Sequence, residues 1–298
     1  MKKSKSIKHR LAMVIFPLMS FFTKHPKVVS LDETMDEILN GKSIARFGDG
    51  ELQAITNNID NSFQTSNQEL SDAIKVVLNS KNKDLLIAIA PPFSWTLVNL
   101  NNESRNYWEP ILIKNWAIWE KYLGQKYYYN AFITRPYFDY TTKFRKTESK
   151  KIFKKFKQLW NNKNILIIEG EYSRFGVNDD LLNSSKSVKR IIGPSKNAFE
   201  KIDEIEKQTR QYVNQHSVDL ILLSLGQTAT ILTYRLLDLN IQLIDIGHLD
   251  IEYNWFLEKA TTKHDIVGKW TNESKIKFKE FSNPTILRQY YSEIITKI

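Results

Sequence analysis

Carboxylates in this chain gather beside glycines in a few short stretches, and those stretches are where chemistry is most concentrated. The first is Arg46-Phe47-Gly48-Asp49-Gly50-Glu51. Asp49 and Glu51 are two residues apart, so in extended backbone both side chains point the same way. Such a pair holds a hard cation or shares acid–base work. Helix capping competes with that reading: Asp49 at an N-cap and Glu51 in the first turn of a helix would look the same. The second stretch, Asp245 to Tyr253, carries His248, Asp250 and Glu252 at one parity. An imidazole with two carboxylates and no thiolate suits Mn²⁺ or Mg²⁺ better than structural zinc. A cap at Asp250 with a satisfied core histidine is the alternative.

Two further stretches look suited to phosphate. Residues 169–180 read Glu-Gly-Glu-Tyr-Ser-Arg-Phe-Gly-Val-Asn-Asp-Asp. The guanidinium of Arg174 matches phosphate oxygens in a fork, although the same loop could be a solvated turn with a salt bridge. Gly226-Gln227-Thr228 follows an apolar run and opens a helical pattern, placing backbone N–H groups and a hydroxyl where phosphate binds, or where ordinary capping occurs. A Walker loop is excluded: Gly41-Lys42-Ser43 has the right ending, but Asp36 stands at the position of the first glycine.

These stretches need a scaffold. Apolar runs suited to buried strands lie at 43–47, 84–90, 128–133, 164–168, 188–192, 219–224 and 242–246, with helical patterns between them. In the 199–215 segment, Phe199, Ile202, Ile205, Tyr212 and Val213 share one helical face. Alternating strands and helices predict an α/β domain, a Rossmann-like, mostly parallel sheet flanked by helices. The glycines and carboxylates follow the strands, at the edge where open α/β sheets bind ligands.

Composition narrows the partners. The 298 residues contain no cysteine, so disulfides and thiolate metal sites are excluded and a cytoplasmic enzyme is expected. The net charge of +10 favours anionic partners. Residues 143–157 hold eight basic side chains, with Ile152, Phe153, Phe156, Leu159 and Trp160 at helical spacing. That helix either lies on anionic lipid or, as is commoner, packs its apolar face on the core. Residues 1–25 begin with Lys2, Lys3, Lys5, Lys8 and Arg10 and continue into an apolar run over 11–22. Those twelve residues are too few for a hydrocarbon core that needs about 20. No small-x-small cleavage site follows, so the segment is read as a membrane-surface anchor or a packed helix, and 26–298 as one catalytic domain.

Six motifs in order resemble one family, the bacterial glycosyltransferases of the GT-D fold type. They are RFGDGE (46–51), NAFITRPY (130–137), EGEYSRFGVNDD (169–180), GPSKNAF (193–199), SLGQTATILTY (224–234) and DIGHLDIEYNWF (245–256). The resemblance covers roughly residues 30 to 260 and implies transfer of a hexose, with glucose expected, from a UDP-sugar. The acceptor is a glycan, on a glycoprotein or a surface polysaccharide, and a divalent metal sits on an Asp-x-Glu motif. Asp250 and Glu252, with His248, are the expected ligands for Mn²⁺ or Mg²⁺, because the histidine makes that site richer. Asp49, Glu51 and Arg46 are then the catalytic candidates. The nucleotide-sugar is expected on Gly48, Glu169, Arg174, Gly176, Asp180, Asn197, Gly226 and Thr228. One departure stands in the third motif: Asn178 and Asp179 replace the family's second glycine and asparagine, and a carboxylate beside a diphosphate is unfavourable. A metal-dependent phosphoesterase is the competing enzyme, and a basic membrane- or nucleic-acid-binding module ranks last, since no nucleic-acid motif is present.

Overall fold

The computed structural model describes residues 7–56, 64–65, 67–270 and 278–298, with side chains from residue 15 onward. Nine strands form one sheet: β1 (Lys27–Val28), β2 (Ser43–Phe47), β3 (Leu85–Ile89), β4 (Tyr127–Asn130), β5 (Asn164–Gly170), β6 (Ser187–Gly193), β7 (Leu220–Ser224), β8 (Gln242–Asp245) and β9 (Ile294–Lys297). Their spatial order is β1-β4-β3-β2-β8-β7-β5-β6-β9, and every pairing is parallel. Helices cover the sheet, so its central strands are mostly buried; β3, Leu-Leu-Ile-Ala-Ile, is buried at all five positions. Continuous apolar runs are what a parallel sheet with both faces covered requires. The predicted fold class is therefore the one observed.

All seven expected strands form. The run expected at 128–133 stops early, at Asn130, because its side chain accepts a hydrogen bond from Phe132 N at 2.9 Å and starts a 3₁₀ turn over Ala131–Thr134. Such local side-chain bonds compete with a ladder. The edge strands β1 and β9 add two and four residues that carry no readable pattern. β9 follows helix Pro284–Glu293 and pairs with β6, bringing the C-terminus onto the sheet.

The basic segment is a helix, Lys150–Leu159, whose Ile152, Phe153, Phe156 and Leu159 are buried. Lys151 and Lys155 reach Asp32, and Lys155 also reaches Asp36, both on the neighbouring helix Leu31–Leu39. Its apolar face thus belongs to the core. Helix Ile7–Phe22 packs on the domain through Phe16, which stacks on Trp95 with ring centroids 4.9 Å apart. Among the described residues no helix is long and apolar enough to cross a membrane.

One expectation fails at the level of local structure. His248, Asp250 and Glu252, whose shared parity assumes extended backbone at a strand tip, instead lie at the start of helix Leu249–Leu257, with His248 at its N-cap. On a helix, positions two apart lie on nearly opposite sides, so Asp250 and Glu252 diverge.

Candidate active site

The order of the sheet places β2 next to β8. The chain runs outward from that junction on one side through β3 and returns to it on the other through β7, so the carboxyl ends of β2 and β8 flank a topological switch point, the usual ligand crevice of open α/β sheets. A cavity of about 750 Å³ opens there, lined from the ends of five strands by residues including Arg46, Ala90, Ala131, Ser224 and Asp245.

Arg46 is the keystone. Its Nε donates to Asp245 O at 2.7 Å and its Nη2 to Asp245 Oδ1 at 2.7 Å, tying the ends of β2 and β8 together. Gly247 allows this: at φ +46 it presents only hydrogen to the guanidinium, and a Cβ there would lie 2.0 Å from Arg46 Nη2. Just beyond Arg46 the chain turns into helix Asp49–Ile55. Glu51 folds back in the first turn and its Oε2 accepts from Gly48 N at 2.7 Å. Burial pushes the Glu51 carboxyl up to about 7, against the opposing pull of Gly48 N–H. Gly48, not Asp49, is the N-cap, and the Glu51 carboxylate that closes the capping box also lines the cavity. Asp49 lies at the same rim and accepts from Tyr107 Oη at 2.5 Å. Opposite, Gly226 (φ 55, ψ −138) turns the chain from β7 into helix Gln227–Arg235. A Cβ on Gly50 would lie 3.3 Å from Gln227 Nε2, so two helix N-termini meet at this wall.

The far wall comes from residues 263–270. Lys269, buried, donates to Asp179 Oδ2 at 2.8 Å and to Asp250 Oδ1 at 2.9 Å. One ammonium neutralises one carboxylate, and the two acids divide accordingly. Burial, reinforced by Asp179, pushes Asp250 up to about 8, whereas Lys269 outweighs burial at Asp179 and holds it below the usual range. On a third side Asp139 accepts from Arg135 Nε and Ser104 Oγ, both at 2.8 Å, and Arg135 keeps its carboxyl low despite burial. Tyr107, Trp108, Phe132, Trp255 and Trp270 supply aromatic lining.

Of the residues singled out from sequence, Arg46, Gly48, Asp49, Glu51, Gly226, His248 and Asp250 line this one cavity. The others are placed elsewhere, and each has a physical reason. Glu252 is fully buried and its Oε2 accepts from Tyr137 N at 2.8 Å and Phe138 N at 2.7 Å. With Glu252 turned to that loop and Asp250 bound by Lys269, the expected His248–Asp250–Glu252 trio does not converge. Among the described residues no group of three His, Cys, Asp and Glu side chains is arranged to hold a metal. Glu169 is an internal strut: it accepts from Arg190 Nη1 and from Phe175 N, both at 2.7 Å. Arg174, expected on diphosphate, is buried at positive φ and paired with Glu280 among Phe278, Phe281 and Tyr290. Asp180 binds Lys157 and Tyr253, and Asn197 accepts from Thr65 N at 2.9 Å. Thr228 is fully buried and does not line the cavity. Gly176 contributes from behind, its N–H donating to Asp250 Oδ1 at 2.9 Å.

The departure in the third motif resolves in the same way. Asn178, at the position of the motif's second glycine, has a left-handed φ of +63, a conformation asparagine tolerates. The added carboxylate of Asp179 is neutralised by Lys269. Sequence reasoning missed Tyr107, Arg135, Asp139 and Lys269. Arg135 lies inside a motif already singled out, but nothing in Gly268-Lys269-Trp270 distinguishes it from a polar loop.

Comparison with known proteins agrees with this architecture. The family model described as "Glycosyltransferase GT-D fold" matches residues 44–274. A "Probable glycosyl transferase Gly" of Streptococcus gordonii is 36% identical over 248 residues, covering 83% of this chain and 35% of that protein. The "Glycosyltransferase GlyD" of Streptococcus pneumoniae serotype 4 is 32% identical over 248 residues, again 83% of this chain but 30% of its own length. The chain thus spans about a third of the length of these relatives. Among solved structures, a domain of unknown function 1792 described as having "a distinct glycosyltransferase fold" superposes with a TM-score of 0.84 at 32% identity, over 96% of this chain and 99% of that one. A related glycosyltransferase from Streptococcus sanguinis gives 0.82 at 32% identity, over 92% and 99%. Fold and sequence together place this chain in the glycosyltransferase GT-D fold family.

Proposed function

We propose that the cavity takes a UDP-sugar and transfers its hexose, glucose in the first instance, to a hydroxyl of a glycan acceptor on a glycoprotein or surface polysaccharide. The observation that carries this reading is the conjunction at the switch point: the Glu51 carboxyl, pushed up to about 7, stands beside two helix N-termini in one cavity. A base poised near neutral pH suits removal of the acceptor's hydroxyl proton. Backbone N–H groups at Gly226–Gln227 suit the diphosphate, and Arg135 and Lys263 bring positive charge to the same cavity. The aromatic side chains suit the apolar faces of sugar rings. Arg46 holds the β2 and β8 tips together and places its charge beside the Glu51 carboxyl.

Mn²⁺ or Mg²⁺ does not fit the Asp250–Glu252 pair, because the two carboxylates diverge, Asp250 onto Lys269 and Glu252 Oε2 onto two backbone amides, and the unpartnered Glu252 Oε1 is buried away from the cavity. Asp49 fits better: a hard oxygen donor at the cavity rim, steadied by Tyr107. Mg²⁺-type sites commonly need one or two protein carboxylates, with waters and substrate phosphates completing the shell. Asp49 would hold the ion, which supplies neutralising charge to a departing diphosphate. The absence of cysteine agrees with a cytoplasmic setting, where nucleotide sugars are used, and no nucleic acid is required.

Calorimetric titration with UDP, with and without Mn²⁺, tests the reading on wild type, Asp49→Asn and Glu51→Gln. Metal-dependent UDP binding is expected in wild type and lost in Asp49→Asn. Glu51→Gln is expected to bind UDP and lose transfer. Absence of UDP binding to wild type under both conditions would overturn the donor assignment; loss of metal-dependent binding in Glu51→Gln would make Glu51 a metal ligand.

A further inference from the structure

Helix Ile7–Phe22 carries an apolar ridge that the fold does not use. Phe16 and Met19, three apart and so on one side of the helix, pack against the core. Leu18, Phe21 and Phe22 share another side and turn outward, 60%, 84% and 82% exposed. Two phenyl rings almost wholly in water, beside a leucine, form the kind of surface that marks a contact site. Charge says what the contact is. Lys24, His25 and Lys27 follow the ridge directly, and Lys24 and Lys27 are exposed. The sequence before it carries Lys2, Lys3, Lys5, Lys8 and Arg10. The first carboxylate downstream, Asp32, is already engaged by Lys151 and Lys155.

We propose that this ridge docks on an anionic lipid surface. Leu18, Phe21 and Phe22 enter the boundary between headgroups and acyl chains, and Lys24 and Lys27 lie among the headgroup phosphates. Helices that combine an apolar stripe with Lys and Arg bind in this interfacial manner, and their binding scales with buried apolar area and with anionic lipid. The proposal is independent of the donor and metal assignments at the cavity.

Co-sedimentation of the full chain with phosphatidylcholine vesicles, with and without phosphatidylglycerol, tests it. Wild type is expected to bind the phosphatidylglycerol vesicles and to release as salt rises. Phe21→Ser/Phe22→Ser, which touches only exposed rings and leaves thermal unfolding unchanged, is expected to weaken binding by about tenfold or more per ring. Lys24→Glu/Lys27→Glu is expected to weaken binding only where phosphatidylglycerol is present. Failure of wild type to bind either vesicle, or undiminished binding by the serine pair, would overturn the proposal. So would a self-association of wild type that the serine pair abolishes, since the ridge would then be a contact between copies of the chain.

Discussion

Replacing Glu252 separates a metal ligand from a structural anchor. Its buried Oε2 accepts from two backbone N–H groups, of Tyr137 and Phe138, and thereby pins the loop that follows β4 to helix Leu249–Leu257. Glu252→Ala leaves both amides buried without an acceptor, at about 1–3 kcal/mol each, so a loss of roughly 2–6 kcal/mol is expected. Glu252→Gln keeps a carbonyl oxygen for the same two amides and removes only the charge. Burial, with Asp139 nearby, pushes the Glu252 carboxyl up to about 7. A folded-state value above the ordinary 4.5 means that the native protein holds a proton the unfolded chain releases. That contribution is fully present below about 4.5 and is lost as pH rises through 7. Glu252→Gln does not titrate, so its stability relative to wild type should climb across this window and level off above it. The ceiling on the gain is on the order of 3 kcal/mol, since each tenfold change in proton affinity is worth about 1.4 kcal/mol. Urea unfolding of both variants on either side of the window, with a UDP titration in Mn²⁺ alongside, makes the measurement. A glutamine variant that is as stable as wild type at every pH but has lost metal-dependent UDP binding would refute the anchor and return Glu252 to the metal.

Two further substitutions test the walls of the cavity. Gly247→Ala forces a Cβ to within 2.0 Å of Arg46 Nη2 at a φ of +46, so the guanidinium must leave Asp245; thermal unfolding should show a loss of about 2–4 kcal/mol, and an unchanged melting temperature would show that Arg46 is not the tie between β2 and β8. Lys269→Met removes the ammonium between Asp179 and Asp250 and should cost about 3–5 kcal/mol in urea unfolding at neutral pH. The deficit should shrink as pH falls and Asp179 protonates, since Asp250 already holds its proton at neutral pH, and a pH-independent deficit would show that packing, not charge, holds that wall.

The sheet was legible because a doubly covered parallel sheet writes itself as continuous apolar runs, and β2, β3, β5, β6, β7 and β8 all appear at their expected places. The strands that escaped, β1 and β9, are short edges whose pairing is set by tertiary contacts: β9 is held to β6 beside the Arg190–Glu293 ion pair, which no local pattern announces. The location of the site was legible for a related reason. Residues following buried parallel strands converge whatever their type, so Arg46, Gly48, Asp49, Glu51, Gly226, His248 and Asp250 could be grouped before any side chain was placed.

What each residue does there was not legible, because burial turns a chemically capable side chain into a structural one whenever a partner reaches it first. Glu169 and Arg174 are the clearest cases. Both have the charge a diphosphate site would use, and both are taken up by opposite charges, Arg190 and Glu280, that come from distant parts of the chain. The two Asp-x-Glu patterns divide on the same ground. Each lies in the first turn of a helix, so neither pair points one way as extended backbone would have it. At 250–252 a lysine nineteen residues beyond Asp250 and a loop more than a hundred residues before Glu252 claim both carboxylates. At 49–51 Glu51 is held by the amide three residues before it, a short-range bond that leaves the carboxyl at the cavity wall, and Asp49 is held from the rim by Tyr107. Spacing cannot tell these two cases apart. The cavity separates them: Asp49 and Glu51 both line it, whereas of the second pair Asp250 reaches it with its carboxylate on Lys269, and Glu252 is turned into the fold towards the amides of Tyr137 and Phe138.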